Sequence, residues 1–272
     1  MIYFAHAQPK RKQPPWCALH AAMIIRYWRF GLLSIYLILA LCYLGQAGSS
    51  AHQAAGASGQ WSQSANDLCA GGQGDIPEEN RNLAIPAPDR TAVVHVVKDH
   101  WYVTLGQKRG SLRDKQSSVG CPAELGWSPD SRAFYITQSD GSIAGFQTLI
   151  YQIEGTQLRR LPDVNLVLRR NFNHKFGCVF YDNGRRKLEE HNVAGLKWID
   201  KSNQLLIVME VLPDSWCRHR GYFGGYLVSL PSAQIIQRFS PNDLMKQWAN
   251  VLGERLKGDL ADLSPKEQAV KP

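Results

Sequence analysis

Among the histidines and cysteines of this chain, four are spaced as zinc ligands can be: His174 and Cys178, four apart, and Cys217 and His219, two apart. Helical spacing would bring His174 beside Cys178, and imidazole and thiolate donors in that number suit a tetrahedral site. In an oxidising compartment the same cysteines join as a disulfide instead, with both histidines as surface neighbours, and that is the expected outcome. A second chemistry needs only two carboxyl groups brought together in space, as in glycoside hydrolysis, and Asp89, Asp130, Asp140, Asp200 and Glu210 are its candidates. Each reads first as a turn or solvent-facing residue, because Asp89 and Asp130 follow prolines in turns where an aspartate bonds the next backbone N–H groups. The chain has no Gly-x-Ser-x-Gly elbow, phosphate loop, dinucleotide fingerprint or His-Glu-x-x-His helix. No cofactor is implied. The third candidate is a contact surface: Trp216 to Tyr226 mixes cations, aromatics and glycines, and offers Arg218, Arg220, Tyr222 and Tyr226 as in loops that recognise anions or sugars; the alternative leaves Arg218 and Arg220 solvated at a hairpin end, with Tyr222 and Tyr226 packed beneath and Gly224-Gly225 forming a turn or bulge.

Charge and hydropathy say where these residues work. Residues 1–47 carry five Lys or Arg and no acid, so the net +8 of the whole chain falls to +3 over residues 48–272. A nearly balanced body gives no reason to invoke nucleic acid, which calls for a clustered basic face. Phe30 to Leu44 is almost wholly apolar behind Arg26 and Arg29, and Gly45-Gln46-Ala47 supplies small residues for a cut after Ala47. This is a secretory signal pattern, too short for the roughly 20 residues of a spanning helix. If uncleaved, it would anchor the chain to the membrane. Residues 1–22 fit poorly before such a signal, so Met23 is the expected start and 23–47 the signal. Export leaves Cys69, Cys121, Cys178 and Cys217, an even number that can all pair. Four cysteines admit three connectivities, and sequence alone does not choose among them.

The elements that position these residues are mostly strands. Residues 48–82 are rich in Gly, Ala, Ser and Gln and read as a flexible leader, with Trp61 and Cys69 as exceptions, so ordered structure is expected from about Leu83. Strands are predicted at Trp101–Leu105, Gln147–Ile153, Gly221–Leu230 and Ala233–Phe239. Val164, Leu168, Phe172 and Phe176 share one helical face, with Asp163 as N-cap and a stop near Gly177. Ser240 and Pro241 open a second helix, which carries Leu244, Trp248 and Leu252 to a stop at Gly258; residues 259–272 read as a loose tail.

Leu125-Gly126-Trp127-Ser128-Pro129-Asp130-Ser131-Arg132-Ala133-Phe134-Tyr135-Ile136 joins an aromatic anchor, a Pro-Asp turn and an apolar strand. It resembles the repeat of WD40-like, TolB-type β-propellers, with Ser131 where the repeat usually has glycine. Ala87-Pro88-Asp89-Arg90 leading into Val97, and Leu196 to Asp200 leading into Met209, read as degenerate copies. Pro88 to Pro129 spans 41 residues, which suits a four-stranded blade, and Trp127 to Trp198 spans 71, which requires an insertion. The expectation is a mainly β domain over 83–258, made of propeller-like antiparallel four-stranded repeats in a small or incomplete propeller or twisted sheets. A helix is inserted near 163–176 and another lies near 241–257. Contact between neighbouring repeats favours pairing Cys69 with Cys121 and Cys178 with Cys217. TolB-type propellers bind partner proteins, so the resemblance implies an exported, periplasmic or extracellular, non-catalytic module for a protein or envelope component. The alternatives are an extracellular hydrolase acting on carbohydrate or peptide, and a small-ligand sensor using the Tyr222 to Tyr226 face.

Overall fold

A computed structural model describes residues 59–69, 81–106, 108–112, 118–139, 145–264 and 268–272. The signal segment, Met23 and Asp140 lie outside the described residues. Strand β1 (Asn66–Asp67) is short. Strands β2 (Asn82–Pro86), β3 (Ala92–Val97), β4 (His100–Leu105) and β5 (Lys108–Leu112) form the first antiparallel meander. Strands β6 (Ala123–Trp127), β7 (Ala133–Ser139), β8 (Phe146–Glu154) and β9 (Gln157–Arg160) form the second, with β1 added beside β6. Helix α1 (Val164–Phe176) and the hairpin β10 (Val179–Asp182) and β11 (Arg185–Leu188) form the insertion. Strands β12 (Asn192–Asp200), β13 (Gln204–Glu210), β14 (Phe223–Ser229) and β15 (Gln234–Phe239) form the third meander, followed by α2 (Pro241–Trp248) and α3 (Glu254–Ala261). The fold is mainly β, built from propeller-like antiparallel repeats, with no closed barrel among the described residues.

The period of two in a strand explains the layering. Along β7, Phe134 and Ile136 face the first sheet while Tyr135 faces the third, and every residue of the strand is buried. Along β13, Leu205, Ile207 and Met209 face the second sheet and α1, while Leu206 and Val208 face α2 and α3. A continuous apolar run is therefore what a strand covered on both faces requires. The first interface is aromatic, with Trp101 edge-on to Phe134 at 5.8 Å and to Tyr151 at 4.8 Å.

The turns that feed the middle strands repeat a chemistry. In the first, Ala87 N donates to Ala92 O; in the second, Ser128 N donates to Ala133 O, each at 2.8 Å. Arg90, Ser131 and Lys201 take the left-handed conformation, with φ of 60, 61 and 46°, one in each turn. Ser131 accordingly adopts the backbone for which glycine is usual. Neighbouring turns are tied together: Asp89 N donates to Ser131 Oγ at 3.0 Å, and Ser202 Oγ donates to Asp130 Oδ2 at 2.9 Å. The tryptophans repeat the tie, Trp127 Nε1 donating to Ile85 O at 3.2 Å and Trp198 Nε1 to Gly126 O at 3.0 Å.

Helix α1 begins where Asp163 accepts from the N–H groups of Asn165 and Leu166, and ends at Gly177 with φ 66°. Val164, Leu168 and Phe172 are buried beneath it, and Phe176 packs on Phe172 at 4.3 Å.

Three expectations need correction. Gly59–Cys69 is packed rather than flexible: Trp61 is 1% exposed, Gln63 N donates to Val251 O, and Gly253 N donates to Trp61 O. The helix over 241–257 is two helices, because Val251–Gly253 leaves the helical path to make those bonds. A methyl on Gly253 would lie 2.2 Å from Gln60 O, and Gly258 lies inside α3 instead of ending a helix. The tail is fixed at residues 268–272, where Tyr222 Oη donates to Val270 O at 2.6 Å and Lys175 Nζ donates to Pro272 O at 3.1 Å. Among the described residues no helix is long and apolar enough to cross a membrane.

Candidate functional site

The loop from Val211 to Tyr222 joins β13 to β14 and is closed at its base by Val211 N to Tyr222 O, 2.8 Å, and Gly221 N to Val211 O, 2.9 Å. Cys217 is joined to Cys178, directly after α1, and Cys69 is joined to Cys121. The Glu189 carboxylate accepts from Trp216 N at 2.6 Å, and Ser215 Oγ accepts from Cys217 N at 2.9 Å. Glu189 is itself held from α1. Asn173 Nδ2 donates to the Glu189 carbonyl at 3.0 Å, Asn173 Oδ1 bonds His191 Nε2 at 2.9 Å, and Arg169 donates to the His191 carbonyl. Burial pushes the His191 imidazole down to about 4, with the Arg169 charge acting in the same direction, so at neutral pH it is an uncharged bracket.

On this braced base the Trp216 side chain is 87% exposed. Arg218 and Arg220 are exposed beside it in sequence, and Tyr181, three residues after Cys178 on β10, is 70% exposed. Arg218 Nε donates to His219 Nε2 at 3.2 Å, and His219 packs edge-on against Phe176 at 4.6 Å. An indole projecting from a loop stapled on both sides is an anchor that loses little freedom when it is buried by a partner.

The two tyrosines offered as part of this surface are not on it and pack beneath, as the alternative reading of the segment has them. Tyr222 is 2% and Tyr226 0% exposed. Tyr222 stacks on Phe172 at 5.7 Å, Tyr226 pairs with Ile207 across the sheet, and burial raises both hydroxyl pKa values far above the ordinary tyrosine range. They form the floor beneath the loop and present no exposed face of their own. The zinc set fails on its sulfurs, since Cys178 and Cys217 are spent on each other. Among the described residues no group of three or more His, Cys, Asp or Glu is placed to hold a metal.

The candidate carboxylates are scattered. Asp89 accepts from Thr91 N at 2.9 Å and Thr91 Oγ1 at 2.8 Å, which holds its pKa below the usual value. Asp130 accepts from Ser128 and Ser202 hydroxyls, whose bonds outweigh the upward push of partial burial and keep it low. Asp200 is exposed at the β12 end. Glu210 is buried; burial raises its pKa against the opposing bond from Asn192 Nδ2 at 2.8 Å and the Arg255 charge.

One carboxylate escaped the sequence reading. Glu124 is 3% exposed and accepts from Trp61 N at 3.0 Å and Ser62 N at 3.2 Å; burial pushes its pKa up to about 8 despite those bonds and the Arg255 charge. Arg255 lies 4.4 Å over the Trp61 ring and bonds Glu210 at 3.3 Å. The cavity beside Glu124, lined also by Trp61, Thr137 and Phe146, holds about 10 Å³, room for about one water. This cluster fastens Gly59–Ser64 to the sheets. Its sequence signal was a lone acid inside the apolar strand Ala123–Trp127.

Two disulfides are the kind of cross-link that an oxidising environment favours. No protein-family model matches the chain, and no curated protein matches it in sequence.

Proposed function

We propose that the chain is an exported, non-catalytic binding or assembly module that docks on a partner protein or envelope component through Trp216, Arg218 and Arg220. The observation that carries this is the 87% exposure of Trp216 on a loop held by the Cys178–Cys217 disulfide and by Glu189. An apolar ring of that size, rigid and flanked by two cations, has the composition of an interface hot spot. The resemblance of Trp127–Ile136 to TolB-type repeats supports the same reading, because those propellers bind partner proteins. A hydrolase would need two carboxyl groups lining an open cleft. Asp89 and Asp130 are occupied in their turns, and Glu124 faces a cavity of about 10 Å³.

The test is a photoreactive residue placed at position 216 in the native host, with position 201 as the control. The expected result is one adduct of defined mass from 216 and none from 201. Equal labelling from both positions, or none from either, overturns the proposal.

A further inference from the structure

Helix α1 and strand β15 face each other across a groove of about 490 Å³, lined by Val167, Arg170 and His174 from the helix and by Gln234, Ile235 and Arg238 from the strand. Among the described residues strand β15 is the last of its sheet and pairs with β14 alone. Its other edge therefore carries backbone N–H and C=O groups that no described strand covers, and its residues Gln234, Ile235 and Arg238 line the groove. The β14–β15 register skips Ile236, which stands 49% exposed on that strand.

The cations of the groove are uncompensated. No residue lining it is acidic. Arg170 is exposed and makes no hydrogen bond or ion pair among the described residues. Arg238 Nε donates to Asn171 Oδ1 at 3.2 Å, which orients the guanidinium and leaves its terminal nitrogens for an incoming acceptor. Lys175 is turned away to the carbonyls of Lys271 and Pro272.

We infer that this groove takes an extended acidic segment of a partner protein, which adds a strand to β15 and sets its carboxylates against Arg170 and Arg238. Main-chain bonds along an open edge supply affinity in this mode, and the side chains beside it supply selection. A free phosphate or lipid headgroup would meet the cations and leave Val167, Ile235 and the strand edge unused. A second copy of the chain would bring the same cations to the same groove and be repelled. The inference rests on β15 and α1, and does not depend on Trp216.

Fluorescence polarisation with a short capped peptide of alternating valine and glutamate tests it, using the purified protein. The acidic peptide is expected to bind. Replacing its glutamates by lysine, or methylating alternate amide nitrogens, should each weaken binding about tenfold or more, the first through charge and the second through lost edge pairing. The double variant Arg170→Glu/Arg238→Glu should weaken it about tenfold while its thermal melt stays unchanged. Trp216→Ala should leave it unaltered. Undiminished binding of the N-methylated peptide, equal competition by inorganic phosphate or anionic vesicles, absence of binding, or a dimer by light scattering that Arg238→Glu dissolves would each overturn the inference.

Discussion

Tyr135 lies directly across the β6–β7 pair from Gly126, and its ring covers that glycine so closely that a methyl there would sit 2.3 Å from Cε1. On the other side a methyl on Gly195 would sit 2.8 Å from Cδ2. The ring is thus clasped between the backbones of two sheets, with Oη donating to Leu196 O at 3.2 Å. Both glycines are set by this close approach.

Gly126→Ala is therefore expected to destabilise the fold by about 1–3 kcal/mol through overpacking, and Gly195→Ala by a similar amount. Shrinking the ring, as in Tyr135→Leu, should return part of the Gly126→Ala loss, read as a coupling energy in urea denaturation. Strict additivity of the two changes would count against the clasp.

The indole bond from Trp198 to Gly126 O is buried. Trp198→Phe deletes the donor and leaves Gly126 O with only its ladder bond to the paired Tyr135, at an expected cost of about 0.5–1.5 kcal/mol. Trp127, half-buried and making the equivalent bond to Ile85 O, should cost less when changed in the same way. Equal stability of wild type and Trp198→Phe would show that the bond carries nothing.

Glu124 makes stability depend on alkalinity. Its carboxyl keeps its proton in the folded chain up to about 8, whereas an ordinary glutamate loses it near 4.5. Between those values the folded state binds more protons than the unfolded state, so stability falls as pH rises, by up to about 1.4 kcal/mol per pH unit. The contribution is complete below 4.5 and lost through 8, and the raised pKa of Glu210 acts in the same direction. Glu124→Gln should flatten the fall between pH 6.5 and 8 in chemical melts; an unchanged slope would put Glu124 in its ordinary ionised state.

His191 acts with the opposite sign. Its folded pKa of about 4 lies below the ordinary histidine value of 6.5, so the unfolded chain takes up a proton first and stability is lost as pH falls from 6.5 through 4. In the overlap from 4.5 to 6.5 the two slopes oppose each other. His191→Gln should expose the Glu124 slope there, as a decline beginning near pH 4.5. A His191→Gln profile that matches the wild type would sink this assignment.

The two disulfides close separations of 52 and 39 residues, each worth about 4 kcal/mol in the loop-entropy account. Cys178→Ser/Cys217→Ser should lower stability by up to that amount and free the Trp216 loop from α1, lowering any adduct yield at position 216. Unaltered labelling by that variant would mean Glu189 alone holds the loop.

Local chemistry made much of this fold readable. Asp163 and Gly177 bracket α1 because a cap and a left-handed stop act within a few residues, and the apolar runs of β7 and β13 announce strands covered on both faces. The parts that escaped depend on distant partners. Nothing near Trp61 indicates that Glu124 will accept its backbone N–H, so Gly59–Cys69 looked like a leader. Tyr222 and Tyr226 sit in a segment whose cations suggest a surface; the two rings, four apart, enter one core cluster, while Arg218 and Arg220 belong to the loop that precedes β14 and stay out, and composition alone does not decide between those two readings. The α1–β15 groove exists only after residues some 70 apart in sequence meet, as Arg238 meets Asn171 across a separation of 67.

Stacking three meanders in chain order makes opening graded. The first sheet is covered on one face, as the alternating burial of Ala92–Val97 records, whereas β7 and β13 lie between layers. Units that touch only their neighbours melt from the end inward. Amide protons of β3 and β4 should therefore exchange with solvent while those of β7 and β13 are still protected, and the outermost sheet can come loose as a separate foldon while the floor under Trp216 stays intact.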